Sequence, residues 1–62
     1  MTAESDFVRA ARRLVAEAEA LGGVFRADGS WVMNDGRPPL PHSVADRLRT
    51  LRAAVRVVLG ER

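Results

Sequence analysis

The sequence predicts a small α+β domain of the α-β-β-α(-α) type, in which a β-hairpin packs on two or three helices. Two segments with helix-period apolar patterns flank a central segment that has strand-like apolar runs on either side of an Asp-Gly pair. The chain has 62 residues, of which 47% are hydrophobic and 29% charged. This composition is typical of a globular protein, and the length allows one domain, residues 1–62. Because so short a chain has a small core, we expect a partner or a second copy to add stability.

The first helix is expected over about residues 5–21. Its apolar residues recur at alternating intervals of four and three, which places them on one stripe of a helix. They are Phe7, Ala11, Leu14, Ala18 and Leu21. Thr2 or Ser5 can cap the N-terminus, because a hydroxyl oxygen accepts a hydrogen bond from a free amide of the first turn. Gly22 and Gly23 end the helix, since glycine adopts the left-handed conformation at little cost.

A hairpin is expected over about residues 23–34. Asp28-Gly29 between two apolar runs is the usual sequence of a two-residue type I′ turn. This turn sets Arg26 opposite Trp31, where the two side chains form a cation–π pair. A longer turn shifts the register by one residue.

With the two-residue turn, the hairpin carries apolar side chains on both faces. The face toward the helices has Phe25, Ala27 and Val32. The opposite face has Val24, Arg26, Trp31 and Met33. One pair of helices covers only one face of a two-stranded sheet, so we expect a partner to cover the other. A core position for Trp31 remains the alternative, since a sole tryptophan is commonly buried.

Residues 35–42 are expected to form a loop, because three prolines and a glycine disfavour regular structure there. A second helix is expected over about residues 43–59, capped by Ser43 and stopped by Gly60. Its apolar residues repeat the four-three spacing, and they are Val44, Leu48, Leu51, Val55 and Val58. A break near Thr50 would divide this segment into two shorter helices.

The residue types do not indicate catalysis, a cofactor or a metal site. The sequence has no cysteine, and its one histidine, His42, lies in the proline-rich loop, where a solvated or capping role is usual. Ser43 is better explained as a helix cap than as a nucleophile, and the aspartates lack metal-ligand spacing. We therefore expect a protein that is not an enzyme. The acidic opening, residues 1–6, and the lack of a long apolar stretch predict neither a secretion signal nor a membrane span, hence a cytoplasmic protein without a membrane partner.

Positive charge is concentrated in the second half of the chain. The net charge is only +2, but residues 37–62 hold six arginines against two acids. The arginines of the second helix are Arg47, Arg49, Arg52 and Arg56. They are open to three interpretations, namely a solvated face, a surface for an acidic peptide, and phosphate contacts. The order of helices and strands does not match a helix-turn-helix or a ribbon-helix-helix motif, so nucleic-acid binding is possible but not favoured.

Several short motifs along the chain resemble one family. They are Leu21-Gly22, Phe25 to Gly29, Val32, Leu40-Pro41 and Arg52 to Leu59. In this order and spacing, they resemble a TubC-type N-terminal docking domain of nonribosomal peptide and hybrid polyketide synthetases, over about residues 7–59. Two features depart from the family pattern. Pro41 and His42 stand in place of its usual hydroxyl-proline helix start, and Arg52 stands where lysine is common.

The resemblance implies a small module, often a homodimer, that binds the C-terminal linear motif of an upstream synthetase. The motif is added as a strand beside the hairpin, with basic residues pairing to its acidic side chains. The residues expected to contact this partner are Val24, Arg26, Ser30, Trp31, Val32, Met33, Arg49 and Arg52.

Two other interpretations stay open. One is a free-standing regulatory or inhibitor protein of the phage or plasmid type, which acts on a nucleic-acid-processing machine or binds nucleic acid through its basic helix. The other is a homodimer that uses the hairpin face for self-association.

Overall fold

The structure, a computed structural model, describes residues 5–62. Within this range the chain forms three helices and one antiparallel hairpin. Their order is α1 (Asp6–Ala20), β1 (Gly23–Phe25), β2 (Trp31–Met33), α2 (His42–Thr50) and α3 (Arg52–Gly60). The predicted small α+β domain is thereby confirmed. None of the described helices is long and apolar enough to cross a membrane.

Helix α1 forms as its spacing predicts, and its cap is Ser5. The Ser5 Oγ accepts a hydrogen bond of 3.1 Å from the Val8 N–H, while Thr2, the alternative cap, lies outside the described residues. The middle of the apolar stripe is buried, but its two ends are not. Phe7 is 69% exposed, and Leu21 is exposed at the end of the helix. Gly22 follows with a φ of +100°, as expected for the residue that ends a helix.

The core lies where α1 contacts α2, α3 and β1. Its largest fully buried side chains are Leu48, Val15 and Val55, one from each helix, because each helix turns its apolar stripe toward the same centre. Leu40 is also buried, and it fixes the proline-rich loop to this core.

The turn of the hairpin is one residue longer than the two-residue turn that the Asp-Gly pair suggests. The Gly29 N–H donates to the Arg26 carbonyl at 3.0 Å, and the Arg26 N–H donates to the Ser30 carbonyl at 2.8 Å. The loop is therefore Ala27-Asp28-Gly29, and Gly29 has a φ of +90°, the usual arrangement of a three-residue hairpin. The predicted register is wrong, since Phe25 pairs with Trp31 rather than with Val32.

The shift by one residue exchanges the side chains of β2 between the two faces of the sheet. Phe25, Trp31 and Met33 are half-buried and pack against the core, so Trp31 and Met33 do not face outward as predicted. The outer apolar residues are Val24 and Val32, which pair with each other and are each 45% exposed. The outer face thus carries apolar surface, but from a different pair of residues.

The predicted second helix is divided at Leu51 into α2 and α3. The Thr50 hydroxyl donates to the Asp46 carbonyl at 2.9 Å, and such back-bonds often bend helices. Helix α2 starts at His42, after Pro41, and it has no side-chain cap. The prediction that Ser43 caps this helix is therefore wrong.

Candidate functional site

The backbone hydrogen bonds of the hairpin determine which groups its strands leave open. At the turn the Arg26 N–H donates to the Ser30 carbonyl, and at the open end of the hairpin the Asn34 N–H donates to the Gly22 carbonyl, both at 2.8 Å. Hydrogen-bonded and non-bonded pairs alternate along an antiparallel ladder. By the register, Val24 and Val32 form the central pair between these two, and they are therefore hydrogen-bonded to each other. The residues on either side of Val32, namely Trp31 and Met33, direct their N–H and C=O groups away from β1.

The outer edge of β2 accordingly presents the N–H and C=O groups of Trp31 and Met33. These two residues are two positions apart, which is the spacing at which an added strand forms hydrogen bonds. The other strand, β1, lies against α1, where Gly23 is buried close to the Ala18 carbonyl. The edge of β2 is thus the stronger candidate for an incoming strand.

A cleft of about 260 Å³ lies where the hairpin turn meets α2 and α3, and we call it the basic cleft. It is lined by Gly29, Ser30, Trp31, Leu48, Arg49 and Arg52. Two guanidinium groups border it, and no acidic residue of the described part of the chain lines it. A guanidinium group binds a carboxylate through two parallel hydrogen bonds, so the chemistry of this cleft suits a carboxylate.

A second cleft, of about 380 Å³, also borders Trp31, and we call it the proline cleft. It is lined by Trp31, Pro39, Leu40, Pro41, His42, Ala45 and Arg49. Its walls are mostly apolar carbon atoms from the indole, two prolines and an alanine. The two clefts therefore differ in chemistry and have Trp31 and Arg49 in common.

The two residues that border both clefts, Trp31 and Arg49, form a cation–π pair. The central guanidinium carbon of Arg49 lies 5.7 Å from the centre of the indole, within the range of this interaction. On the core side the Phe25 ring is 6.2 Å from the Trp31 ring. The cationic partner of Trp31 is therefore Arg49 from α2. The predicted pair with Arg26 is wrong, because the observed register turns Trp31 to the inner face while Arg26 stays on the outer face.

The hairpin turn is fixed beside the basic cleft by hydrogen bonds and by packing. The Asp28 carboxylate accepts from the Ser30 N–H at 2.9 Å and from the Ser30 hydroxyl at 2.6 Å. These bonds favour the charged form, and they lower the pKa of Asp28 from its ordinary value. The buried Gly29 lies under the aliphatic stems of Arg52 and Arg56, and the Arg52 Nε donates to the Asp28 carbonyl at 3.3 Å.

The structure brings together only part of the predicted set of contact residues. Four of them line the basic cleft, namely Ser30, Trp31, Arg49 and Arg52. Met33 lies at the far end of the β2 edge. Three others, Val24, Arg26 and Val32, belong to the outer face by strand alternation.

The proline cleft was not predicted from the sequence. Its residues come from a segment that the sequence marks only as a loop and a helix start, including His42, which was expected to be solvated or a cap. The sequence feature that could have indicated the proline cleft is Leu40, an apolar residue between prolines. Leu40 is buried in the core, and it thereby fixes the neighbouring prolines against the fold.

Within residues 5–62 no cluster of three or more His, Asp or Glu side chains could hold a metal ion. Comparison of the chain with protein-family models, with curated proteins and with solved structures finds no match.

Proposed function

We propose that this protein is a non-catalytic, cytoplasmic docking module that binds a short acidic peptide of a partner protein, as the TubC-type docking domains do. The peptide adds as a third strand along β2. The observation that carries the proposal is the open edge of β2 beside a cleft with two guanidinium groups, because main-chain and charge recognition are then available at one place.

The main chain supplies affinity in this mechanism. An added strand exchanges hydrogen bonds with the N–H and C=O groups of Trp31 and Met33, whichever side chains the peptide has. On the outer face its side chains would lie beside Val32, whose exposed surface gains an apolar neighbour. A homodimer formed through another surface is compatible with this use of the β2 edge.

The arginines supply selectivity. Arg49 and Arg52 line the basic cleft at one end of β2, so a peptide carboxylate placed there gains charge-assisted hydrogen bonds that a neutral peptide cannot form. This recognition uses only the two guanidinium groups that line the basic cleft, in direct contact with the peptide. The affinity is therefore expected to fall gently with added salt, in contrast to nucleic-acid binding by several arginines, which falls steeply.

The test begins with selection of binders from a displayed library of random ten-residue peptides that end in a free carboxylate. A selected peptide is then added to the protein, and amide hydrogen exchange is followed by NMR. Strand addition should slow exchange at the Trp31 and Met33 amides, while the Val24 and Val32 amides, already bonded, change little. Binding without protection of Trp31 and Met33 would contradict strand addition. Protection that rises with protein concentration, without peptide, would instead assign the edge to a second copy.

Two arginines of α2 provide a matched pair for the charge contribution. Arg49→Ala should weaken binding of an acidic peptide about tenfold, the size of one charged hydrogen bond. Arg47→Ala removes the same charge from the side of α2 toward α1 and should leave the affinity within about twofold. Equal losses in both variants, together with a steep salt dependence, would indicate nonspecific charge attraction or nucleic-acid binding instead.

A further inference from the structure

We infer that the partner's peptide is recognised at two positions, an acidic residue at the basic cleft and a large apolar residue at the proline cleft, separated by an even number of positions. This inference rests on the proposed strand addition along β2. It adds a sequence rule for the partner, since strand addition by itself does not select side chains.

One stripe of the α2–α3 segment borders both clefts in succession. Its residues follow at intervals of three, four and three, and they are His42, Ala45, Arg49 and Arg52. The first two line the proline cleft, the last lines the basic cleft, and Arg49 lines both. The surface beside the β2 edge therefore changes from apolar to basic along a single direction.

The proline cleft suits an apolar side chain. Its walls include Pro39, Pro41 and the indole of Trp31, which offer carbon surface and few hydrogen-bonding groups. Proline has a fixed φ, and the loop is anchored by the buried Leu40. The cleft is therefore formed before the ligand arrives, so little ordering free energy opposes binding there.

The even spacing follows from strand geometry. Trp31 turns its side chain toward the helices and lines both clefts, so a peptide side chain must point to that side of the sheet to reach either cleft. On an added strand, side chains that point to the same side are two or four positions apart, about 7 or 13 Å. An acidic and an apolar residue at adjacent positions would point to opposite faces, and only one of them would reach its cleft.

The two recognised residues of the peptide occupy opposite ends of this surface. Gly29 and Ser30 border the basic cleft, whereas the proline-rich loop borders the other. The acidic residue therefore lies beside the hairpin turn, and the apolar residue lies toward the start of α2.

The test uses the random ten-residue library on the wild-type protein, followed by titration of synthetic peptides with the fluorescence of Trp31, the sole tryptophan. The selected sequences should share an acidic and a large apolar residue two or four positions apart. Alanine at the apolar position should weaken binding about tenfold, as expected when about half of a leucine side chain is buried. Selected peptides that share the acidic residue alone, or an odd spacing, would overturn this inference and leave the docking function standing. If no peptide is selected at all, the proposed function fails as well.

A double-mutant comparison assigns the apolar preference to its cleft. In the variant with both Pro39→Ala and His42→Ala, the discrimination between the selected peptide and its alanine form should fall to about twofold, with the acidic preference retained. Pro38→Ala is the matched control, because this exposed proline does not line the cleft. Circular dichroism verifies that each variant is folded. Undiminished discrimination in a folded double variant would place the apolar residue elsewhere and overturn the inference.

Discussion

Arg49 connects the parts of the candidate site more than any other residue. Its guanidinium group lies over the Trp31 ring, lines both clefts, and is 3.3 Å from the Asp46 carboxylate. The ion pair is well exposed, with the Arg49 and Asp46 side chains 65% and 71% accessible. Ion pairs of this kind contribute little to stability, because water competes for both charges. A peptide carboxylate can therefore replace Asp46 at low cost, while the indole keeps the guanidinium group in place.

At the scale of single residues, the testable prediction concerns Asp46. Asp46→Asn removes the carboxylate that competes for Arg49, so an acidic peptide should bind roughly two- to fivefold more tightly, the range expected from an exposed ion pair. Titration with a selected peptide and Trp31 fluorescence measures the change. Asp35→Asn changes the net charge equally, but the ion pair of Arg49 is with Asp46 and not with Asp35, so this control should have a smaller effect. Weaker binding by Asp46→Asn would mean that Asp46 positions Arg49 rather than competes for it.

At the scale of elements, the one additional residue in the hairpin turn determines which side chains of β2 enter the core. A two-residue Asp-Gly turn would direct Trp31 and Met33 outward, but the observed three-residue loop turns both toward the helices. The observed register buries more apolar surface, since an indole and a thioether side chain replace a single valine. Gly29 also packs beneath Arg52 and Arg56, which fixes the loop on α3.

A glycine substitution tests this role of the turn. Gly29→Ala forces alanine into a φ of +90° and places its Cβ 3.2 Å from the Arg56 Cγ. The left-handed conformation alone costs about 1–2 kcal/mol, and the contact adds to it. Gly36→Ala is a matched control, because its φ is +79° but no atom lies within 4 Å of the added carbon. Chemical denaturation should show a larger loss for Gly29→Ala. Equal losses would mean that the packing of the turn on α3 contributes nothing.

The sequence predicts the elements well and their contacts less well. The three-four spacing locates the helices, and Ser5 caps α1 as its hydroxyl suggests. Local patterns cannot distinguish the two hairpin registers, because Asp-Gly fits both turns and tertiary burial makes the choice. Arg49 was recognised as basic, but its contact with Trp31 joins residues 18 positions apart in different elements. The sequence predicts which types of residue form the site, but only the fold shows which of these residues are in contact.

At the scale of the whole molecule, two ion pairs connect the last residues of the chain to α1. The Arg12 guanidinium lies 2.8 Å from the Glu61 carboxylate, and Arg62 contacts both oxygens of Glu19, at 2.7 and 2.9 Å. They join positions 49 and 43 apart in sequence. Helix α3, which precedes both Glu61 and Arg62, packs on α1 in the core, and the two partly exposed ion pairs add a small contribution to this contact.

Glu19 provides the last prediction, which concerns pH. The hydrogen bonds from Arg62 lower the pKa of the Glu19 carboxyl from its ordinary value. The unfolded chain therefore takes up a proton at higher pH than the folded protein. The stabilisation is complete above the ordinary glutamate pKa and is lost as the pH falls through the lowered value. Glu19→Gln should thus reduce the melting temperature at neutral pH and low salt, and the difference from wild type should shrink in acid.

Salt and a neighbouring carboxylate distinguish this effect from a general loss of charge. Because the pair is partly exposed, added salt should also reduce the difference between Glu19→Gln and the wild type. Glu17→Gln removes an equal charge two residues earlier on α1, outside both ion pairs, and its melting temperature should follow the wild type more closely across the same pH range. A Glu19→Gln deficit that persists in acid or in high salt would show that the side chain stabilises α1 by packing rather than by its charge.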